Sequence, residues 1–461
     1  MRLACRAQPD GTEVEVDGFI ATALPAGHAS YFLLVDEPAC CVGCFPRDRR
    51  AAVEVFAAAP IPLTGLRVRL RGTWRVQRDD ASGWRYRLHD ARLAEPAGWS
   101  AVGRRLVLAG APLMCVAACV AGQAASAEAS ERETAARAAV ASGTTVDIHS
   151  HAANIIGVRN VTENRPIGVL AEPMRTGGLS VVCLAITADA PCHRVMPDGR
   201  IHPYRTPAPG ELYDYAQRNF ERVHRLVREQ RLAVVTDAAS LTAARGGTPA
   251  AIIASEGADF LEGRADRVDQ AYERWQLRHL QLVHYRVNEL GDIQTESPEH
   301  GGLTDAGVEV IRRCNRRGVV VDVAHGTFSL VKRAAAVTQK PLVLSHTSLT
   351  PRPSATSRQI SPEHARLIAE TGGVIGVWPS QSIFPTLSAM AIGMLRMADA
   401  VGLDHVGLGS DMLGLVGGSV FSDYRALPAV AEALLEVGFS VTDVAKVLGG
   451  NYARVFAACM A

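Results

Sequence analysis

The residues of this chain best suited to chemistry are histidines and carboxylates that follow short apolar runs. The run Val146–Ile148 leads directly into His149 and His151, which are two positions apart. In a strand, residues at this spacing lie on the same face, so both imidazoles would lie side by side where the strand ends. Imidazole is the commonest protein ligand for metals, and two of them supply half of a tetrahedral zinc site. Two solvated histidines are the alternative interpretation of the pair.

The same arrangement recurs further along the chain. A single histidine after an apolar run is most often a satisfied structural residue. Five histidines and two carboxylates at such positions instead predict a shared metal site, provided that the runs end at one place in the fold. The further residues of this kind are Glu256, His284, His325, His346 and Asp411.

The elements that could bring these residues together are eight short apolar runs between residues 141 and 461. Most are followed by amphipathic stretches typical of helices, such as Gly307–Arg317, Pro362–Thr371 and Met390–Val401. Short apolar strands alternating with helices predict a parallel sheet, and eight repeats predict an α/β fold of the closed (β/α)8 TIM-barrel type, whose active sites lie at the carboxyl ends of the strands. The predicted strands are Thr145–Ile148, Leu179–Ile186, Ala251–Ala254, Leu280–Val283, Val319–Val323, Leu342–Leu344, Val374–Val377 and Val406–Leu408.

The residue types suggest separate chemical roles. The carboxylate of Glu256 has two oxygens and could bridge two divalent ions, which can share a hydroxide and lower its pKa towards neutrality. Asp411 would take a proton from that water and pass it to the leaving group, while Asp147 is a candidate for orienting a ligand. We predict two zinc ions per chain, and the predicted ligands are His149, His151, Glu256, His325 and His346.

A series of motifs in the second part of the chain points to a known family. The motifs are Glu256–Gly257, Leu282–Asn288, Gly301–Thr304, Asn315–His325, Ser345–Thr347, Gly372–Val377, Gly409–Asp411 and Leu448–Asn451. Each is weak alone, but together and in this order they are specific. Over about residues 144–456 the chain resembles the membrane (renal) dipeptidases, zinc peptidases with an amidohydrolase-like barrel. The resemblance implies a metallo-dipeptidase that hydrolyses the amide bond of dipeptides through a metal-bridging hydroxide.

The resemblance also implies roles for individual residues. His284 matches the family histidine that polarises the scissile carbonyl and stabilises the tetrahedral intermediate. Arg358 matches the arginine that holds the substrate carboxylate, with Arg352 as the alternative. Asp411 matches the acid/base aspartate. The metal ligands that the resemblance implies are His149, Glu256, His325 and His346.

One position departs from the family's pattern. The family usually has His-x-Asp on the first strand, where this chain has His149-Ser150-His151. An imidazole can ligate zinc in place of a carboxylate, but it makes the bound site more positive by one unit of charge. We therefore expect the metal site to persist and the specificity for dipeptides to be less strict. The alternatives are another amide or lactam hydrolase on the same scaffold and a membrane-tethered binding protein without turnover.

Residues 1–100 are predicted to form a small module rich in β-strands, for which an OB-like barrel is one candidate. The predicted strands are Glu13–Ile20, Ser30–Val35, Leu66–Val76 and Trp84–Leu88. Its main chemical feature is the thiol cluster Cys40, Cys41 and Cys44, which could bind a metal or form a redox pair. No second Cys/His cluster completes a tetrahedral site, so we favour thiols without a chemical role.

Residues 101–140 contain a hydrophobic segment. Leu106–Ala127 has no charged residue, follows Arg104 and Arg105, and is long enough to cross a bilayer. It resembles an export signal, and Cys119 stands where a lipoprotein would carry its lipid anchor. A signal anchor, a signal kept in a gene fusion and a buried helix are the three interpretations, of which we favour the first two. We therefore expect an exported or membrane-associated protein, attached through residues 104–127, and a helical linker over Glu128–Val140.

Length and composition narrow the remaining possibilities. At 461 residues the chain is too long for one ordinary domain but fits a barrel plus a small module. Lys and Arg number 48 against 47 Asp and Glu, and there is no basic stripe, so nucleic acid is not expected as a partner. Ten cysteines without regular spacing argue against a fold held by disulfides. By analogy with the family, a homodimer is a possible assembly.

Overall fold

The structure is a computed structural model that describes residues 9–21, 28–36, 52–62, 67–76, 86–94, 131–155, 166–246 and 248–461. The chain forms two compact units. One consists of Met1–Glu131 with Ser380–Ala389, and the other consists of Arg132–Pro379 with Met390–Ala461.

In the first unit, five strands form a closed barrel. They are β1 (Glu13–Ala21), β2 (His28–Val35), β3 (Ala52–Pro62), β4 (Arg67–Val76) and β5 (Tyr86–Leu93). The order around the barrel is β1-β2-β3-β5-β4, in which β3 and β5 are parallel and the other strand pairs are antiparallel. This confirms the predicted small all-β module, and a five-stranded barrel is also the architecture of the OB-fold. β3 was not predicted, because its alanine- and proline-rich second half lacks the residues that favour strands.

Strand β4 shows how this barrel forms from a period of two. Leu70 and Trp74 point inward and are fully buried, whereas the four arginines of the strand, at positions 67, 69, 71 and 75, are exposed. Arg69 donates from Nε to Asp17 on the adjacent β1 at 2.7 Å. An apolar inner face and a charge-paired outer face therefore define the register of this strand.

Helix α1 covers residues 131–142, in the region predicted as a helical linker, and belongs to the second unit from Arg132 onward. The strands that follow are β6 (Val146–Ser150), β7 (Val181–Thr187), β8 (His193–Val195), β9 (Ile201–Pro203), β10 (Ala233–Val234), β11 (Ala250–Glu256), β12 (Leu277–Gln281), β13 (Val320–Asp322), β14 (Leu342–Thr347), β15 (Val374–Val377) and β16 (Val406–Leu408). Eight of them form a parallel sheet in the order β6-β7-β11-β12-β13-β14-β15-β16. A bridge between Ser150 and Met412 nearly closes it into a barrel, which confirms the (β/α)8 prediction.

Helices alternate with these strands. They are α2 (Ala171–Gly177), α3 (Glu211–Glu229), α4 (Ala238–Ala243), α5 (Arg267–Arg274), α6 (Asp305–Arg317), α7 (Phe328–Val337), α8 (Pro362–Glu370), α9 (Leu387–Val401), α10 (Leu427–Glu436), α11 (Val441–Ala445) and α12 (Asn451–Met460). Thr304, Thr327 and Ser361 begin α6, α7 and α8, because their hydroxyl oxygens accept an otherwise unpaired N–H of the first turn.

A buried carboxylate joins the first strand to the last. Asp147, which is fully buried on β6, accepts hydrogen bonds from the backbone N–H of Ser410 at 2.8 Å and from the hydroxyl of Tyr424 at 2.7 Å. Burial raises the pKa of Asp147, whereas these hydrogen bonds oppose the rise. Asp147 was predicted as a candidate for orienting a metal ligand. Its carboxylate contacts the backbone N–H of His149 at 3.3 Å, so it orients the strand end and closes the barrel.

The predicted hydrophobic segment, residues 104–127, lies outside the described residues, as do Cys40, Cys41, Cys44 and Cys119. Among the helices of the described ranges, none combines the length and the hydropathy that crossing a bilayer requires.

Candidate metal centre

The barrel places the predicted metal and acid/base residues together at the carboxyl ends of its strands. His149 and His151 lie at the end of β6, Glu256 is the last residue of β11, and His346 is the next-to-last residue of β14. All of these side chains are buried. The buried residues that follow their strands by three positions are His284, His325 and Asp411.

The first group of potential ligands is centred on the β6 histidines. The Nε2 atoms of His149 and His151 lie 3.3 Å apart. Glu256 places Oε1 3.4 Å from Nε2 of His149 and Oε2 3.1 Å from Nε2 of His151. Asp411 completes the group, with Oδ1 3.4 Å from Nε2 of His151. The four ligand atoms all lie within 4.8 Å of one another.

The second group shares Glu256 with the first. The Nε2 atoms of His325 and His346 lie 3.0 Å apart. Oε1 of Glu256 is 3.3 Å from Nε2 of His325 and 3.4 Å from Nε2 of His346. A single carboxylate therefore stands between two sets of imidazoles, as a bridging ligand would.

These distances agree with those expected between the ligands of a metal ion. Zinc ligands lie about 2.0–2.2 Å from the ion, so two ligands at a tetrahedral angle are about 3.3–3.6 Å apart. The nitrogen–nitrogen and nitrogen–oxygen distances given above are 3.0–3.4 Å, and only the 4.0 Å between Nε2 of His149 and Oδ1 of Asp411 is longer. The donor set of imidazole and carboxylate is also the one that zinc prefers when thiolates are not used. The residues therefore fit two zinc ions.

Burial and charge set the protonation of these groups. Burial lowers the pKa of His325 and His346 well below the usual 6.5, so both imidazoles keep a lone pair for a metal. Burial opposes the ionisation of Glu256, but the surrounding imidazoles lower its pKa well below 4.5. Burial also opposes a charge on His151, but Glu256 and Asp411 outweigh it and raise the pKa of His151 to about 10. A metal must therefore displace a proton from His151.

Hydrogen bonds on the far side of the rings select the nitrogen that faces the centre. Nδ1 of His151 lies 2.8 Å from the carbonyl oxygen of Ala185, and a carbonyl can only accept, so Nδ1 carries the hydrogen. Oγ of Ser345 lies 2.9 Å from Nδ1 of His346 and 3.4 Å from Nδ1 of His149. Such contacts fix the orientation of the rings and leave Nε2 for the metal.

His284 lies beside the bridging carboxylate and is held from behind by a second one. Its Nε2 is 3.2 Å from Oε2 of Glu256, and its Nδ1 is 2.7 Å from Oδ1 of Asp189. Asp189 is fully buried, also accepts from the backbone N–H of Tyr285 at 2.9 Å, and lies 3.2 Å from Nε2 of His193. Asp189 was not predicted from the sequence. A signal was present, because Asp189 follows β7 by two positions, much as the other site residues follow their strands.

Two residues of the centre have a backbone conformation that side chains rarely adopt. His325 has a φ of 68° and Asp411 a φ of 45°. Gly414 leaves room for the carboxylate of Asp411, because a Cβ at this position would lie 2.0 Å from Oδ1 of Asp411. Strained backbone at residues that point into a site is typical of functional positions.

The sequence that forms this barrel and its ligand groups matches a known protein family. Residues 134–460 match the family described as "Membrane dipeptidase (Peptidase family M19)". The chain belongs to the membrane dipeptidase family. The matched region includes all eight barrel strands and both groups of potential ligands.

Individual relatives agree with this membership. Dipeptidase aclJ of Aspergillus oryzae is 30% identical over 225 residues, which cover 45% of this chain and 51% of that protein. The chain spans about half the length of the first curated relatives that it matches. Among solved structures, the probable dipeptidase PvdM from Pseudomonas aeruginosa is similar with 19% identity and a TM-score of 0.58, over 72% of this chain and 98% of that one.

A second solved structure is a metallopeptidase from Rhodobacter sphaeroides, which holds a phosphinate mimic of the dipeptide L-Ala-D-Ala. It is 21% identical, with a TM-score of 0.56 over 68% of this chain and 99% of that one. At such identities the two structures establish the shared fold.

In this membrane dipeptidase family member, Arg358 rather than Arg352 lies beside the centre. Arg352 is exposed, whereas Arg358 is partly buried. Arg358 donates from Nη1 to Oε1 of Gln294 at 2.5 Å and from Nη2 to the carbonyl oxygen of His346 at 3.5 Å. Its guanidinium carbon is 5.6 Å from the ring centre of Trp378. Its Nε is buried and has no hydrogen-bond partner among the described residues.

A cavity of about 590 Å³ lies over the metal groups. The hairpin β8–β9 and the segment before it form one side, and the turn that contains Leu413 and Gly414 forms another. The predicted site residues that line the cavity are His151, Glu256, His284, His325, His346 and Asp411.

The hairpin is held over the barrel by a histidine–carboxylate pair. Nδ1 of His202 on β9 lies 2.6 Å from Oε1 of Glu296, which follows β12, and Nε2 lies 3.1 Å from Oδ2 of Asp198. The hydrogen bond to Glu296 is the main cause that raises the pKa of His202. Arg200 also donates to the carbonyl oxygen of Thr356. The hairpin is therefore connected to the loop that carries Arg358.

Proposed function

We propose that this chain is a metallo-dipeptidase that uses two zinc ions to hydrolyse the amide bond of dipeptides. The observation that carries the proposal is Glu256, which stands between two sets of imidazoles at the spacing of metal ligands. The family model and the relatives, which are named as dipeptidases, support the substrate class. So does the dipeptide mimic bound by the Rhodobacter sphaeroides structure.

The ligand sets follow from the two groups. His149, His151 and Glu256 would hold one ion, and Glu256 with His325 and His346 would hold the other. When bound, such a pair of ions polarises a carbonyl group and lowers the pKa of water. His151 takes the place of the family's usual carboxylate, so the loaded centre is one unit of charge more positive and attracts anionic substrates more strongly.

The protein's own groups would then carry out the remaining steps. Asp411 lines the cavity; its carboxylate would accept a proton from the attacking water and return it to the leaving amine. Nε2 of His284, on the ring edge away from Asp189, would stabilise the carbonyl oxygen as it gains negative charge. The guanidinium of Arg358, beside His346, would hold the carboxylate of the substrate.

Location and assembly belong to the same proposal. The uncharged segment Leu106–Ala127, preceded by Arg104 and Arg105, supports an exported or membrane-associated protein. A homodimer remains a prediction by analogy with the family.

The proposal is tested on the purified full-length chain. Metal per chain is measured by mass spectrometry, and hydrolysis is measured on a panel of L-L and L-D dipeptides, before and after removal of metal with a chelator. Two zinc ions and hydrolysis that chelation abolishes and zinc restores are the expected results. Two zinc ions without hydrolysis of any dipeptide would instead point to another amide or lactam substrate. Fewer than two ions would mean that His151 does not replace the carboxylate.

A further inference from the structure

The opening of the metal cavity has an apolar surface that the chemistry of the centre does not require. Six large hydrophobic residues of the described ranges are exposed, and three of these line the cavity. They are Tyr204, Leu413 and Val416, with 45%, 56% and 52% of their surface exposed. Exposed apolar area is unfavourable in water, and its concentration at one opening is typical of a binding surface.

Leu413 combines this exposure with backbone strain. Its φ is 66°, in the left-handed region that a bulky apolar residue rarely occupies. The turn that holds it also holds Asp411, since the N–H of Gly414 donates to the carbonyl oxygen of Asp411 at 2.9 Å. Neither the exposure nor the strain favours the folded state, so their coincidence beside the acid/base residue indicates a functional role for the leucine.

A second part of the cavity lining is apolar as well. Pro191 and Ile201, next to and on the hairpin, line the cavity together with Tyr204. Arg205 also lines it, but its Nη1 donates to the carboxylate of Glu211 at 2.9 Å, so its charge is compensated. The opening therefore offers apolar contacts in two parts of its lining.

The position of this surface relative to Arg358 gives the orientation of a bound dipeptide. Arg358 lies next to Trp378 and next to His346, which belongs to the second ligand group. Its guanidinium would hold the carboxyl end of the substrate. Leu413 and Val416 instead follow Asp411, which belongs to the first ligand group. The residue on the amino side of the scissile bond would therefore lie towards the apolar surface.

On the basis of the proposed function, we propose that this opening is a subsite for a large apolar side chain on the amino-terminal residue of the dipeptide. A cavity of about 590 Å³ is in the range that holds ligands much larger than a dipeptide of two small residues. The subsite makes Leu413 and Val416 specificity-determining residues.

The test compares two series of dipeptides on the full-length, zinc-loaded protein. In one series the amino-terminal residue is Gly, Ala, Leu or Phe before alanine, and in the other the same residues follow alanine. We expect kcat/KM to rise by about 10-fold or more from Gly-Ala to Phe-Ala, and the Ala-X series to show a smaller rise. A flat X-Ala series, or a rise confined to Ala-X, would overturn the subsite while leaving the dipeptidase proposal intact. Absence of all dipeptide hydrolysis would overturn both.

Two variants address the residues themselves. Leu413→Asn removes the apolar side chain but keeps a residue that tolerates the left-handed conformation, and Val416→Ser removes the second contact. Each should lower the ratio of kcat/KM for Phe-Ala to that for Gly-Ala by about 3- to 10-fold. Val441→Ser, at an exposed valine that does not line the cavity, is the matched control and should leave the ratio unchanged. If the ratio of kcat/KM for Phe-Ala to that for Gly-Ala were equal in the unsubstituted protein and in all three variants, Leu413 and Val416 would not determine specificity.

Discussion

Replacing Asp411 by asparagine tests the proposed proton transfer directly. The amide has nearly the shape of the carboxylate, but it cannot accept a proton at neutral pH. The change also suits the backbone, because Asp411 has a φ of 45° and asparagine tolerates this region better than most residues. Alanine would add about 1–2 kcal/mol of strain at the same position, and so would mix a loss of stability with a loss of chemistry.

The expected size of the effect follows from the position of the carboxylate. A positioned general acid–base group contributes about 10²–10⁴-fold to the rate, which corresponds to about 3–5 kcal/mol. We expect kcat to fall by this factor and KM to change little. Metal content should stay at two, because His149, His151 and Glu256 remain for the first ion, and Oδ1 of Asp411 lies 4.0 Å from Nε2 of His149, farther than the other ligand atoms lie from one another.

The assay is amino acid release from a dipeptide by the zinc-loaded full-length protein, with metal content and the melting temperature measured on the same sample. A kcat within tenfold of the unsubstituted protein would refute the proton-transfer role. Loss of one zinc ion would make Asp411 a metal ligand instead. A melting temperature lower by more than a few degrees would show that the amide disturbs the fold.

Three further changes follow from the site. Glu256→Gln should reduce metal content from two to below one ion per chain by mass spectrometry, because both ligand groups lose their shared carboxylate; two retained ions would contradict the bridging role. Asp189→Ala should lower kcat/KM by about 10- to 100-fold without changing metal content, because His284 loses the partner that orients its ring. Asp189→Asn should lower kcat/KM less, because the amide oxygen can still accept from His284. Equal kcat/KM values for the two variants would argue against a positioning role for Asp189. The raised pKa of His202 means that its pairing with Glu296 stabilises the fold below about pH 6.5, and that this contribution is lost as pH rises through the folded pKa. The difference in melting temperature between the protein and Glu296→Gln should therefore shrink from pH 5.5 to pH 9, and a constant difference would contradict the pairing.

The barrel and the ligand groups were predictable because parallel strands are buried on both faces. Such strands appear in the sequence as uninterrupted apolar runs, and the first polar residue after a run marks the strand end. Val374–Val377 and Val406–Leu408 have the same bounds in the sequence prediction and in the structure. The parallel arrangement then brings the polar residues that follow to one end of the barrel.

The residues around the two ligand groups were not predictable in the same way. Asp189 pairs with His284, which lies 95 positions later in the chain. The periodicity of apolar residues predicts local strands and helices, but it does not indicate which distant side chains form a hydrogen bond. Arg352 and Arg358 lie in one polar loop, and only the packing against Trp378 and Gln294 distinguishes them. The short hairpin β8–β9 has strands of three residues, which are too short to give a clear alternation.

The closure of the barrel through Asp147 also determines when the centre can form during synthesis. Its partners Ser410 and Tyr424 lie 263 and 277 positions later in the chain. Until the ribosome has made those residues, burying the carboxylate of Asp147 without its hydrogen-bond donors would cost on the order of several kcal/mol. The strand that carries His149 and His151 therefore cannot adopt its folded position before then. We therefore expect the proposed metal centre to be loaded late, after translation of nearly the whole chain. If the protein is exported unfolded, zinc must be acquired in the compartment where folding is completed.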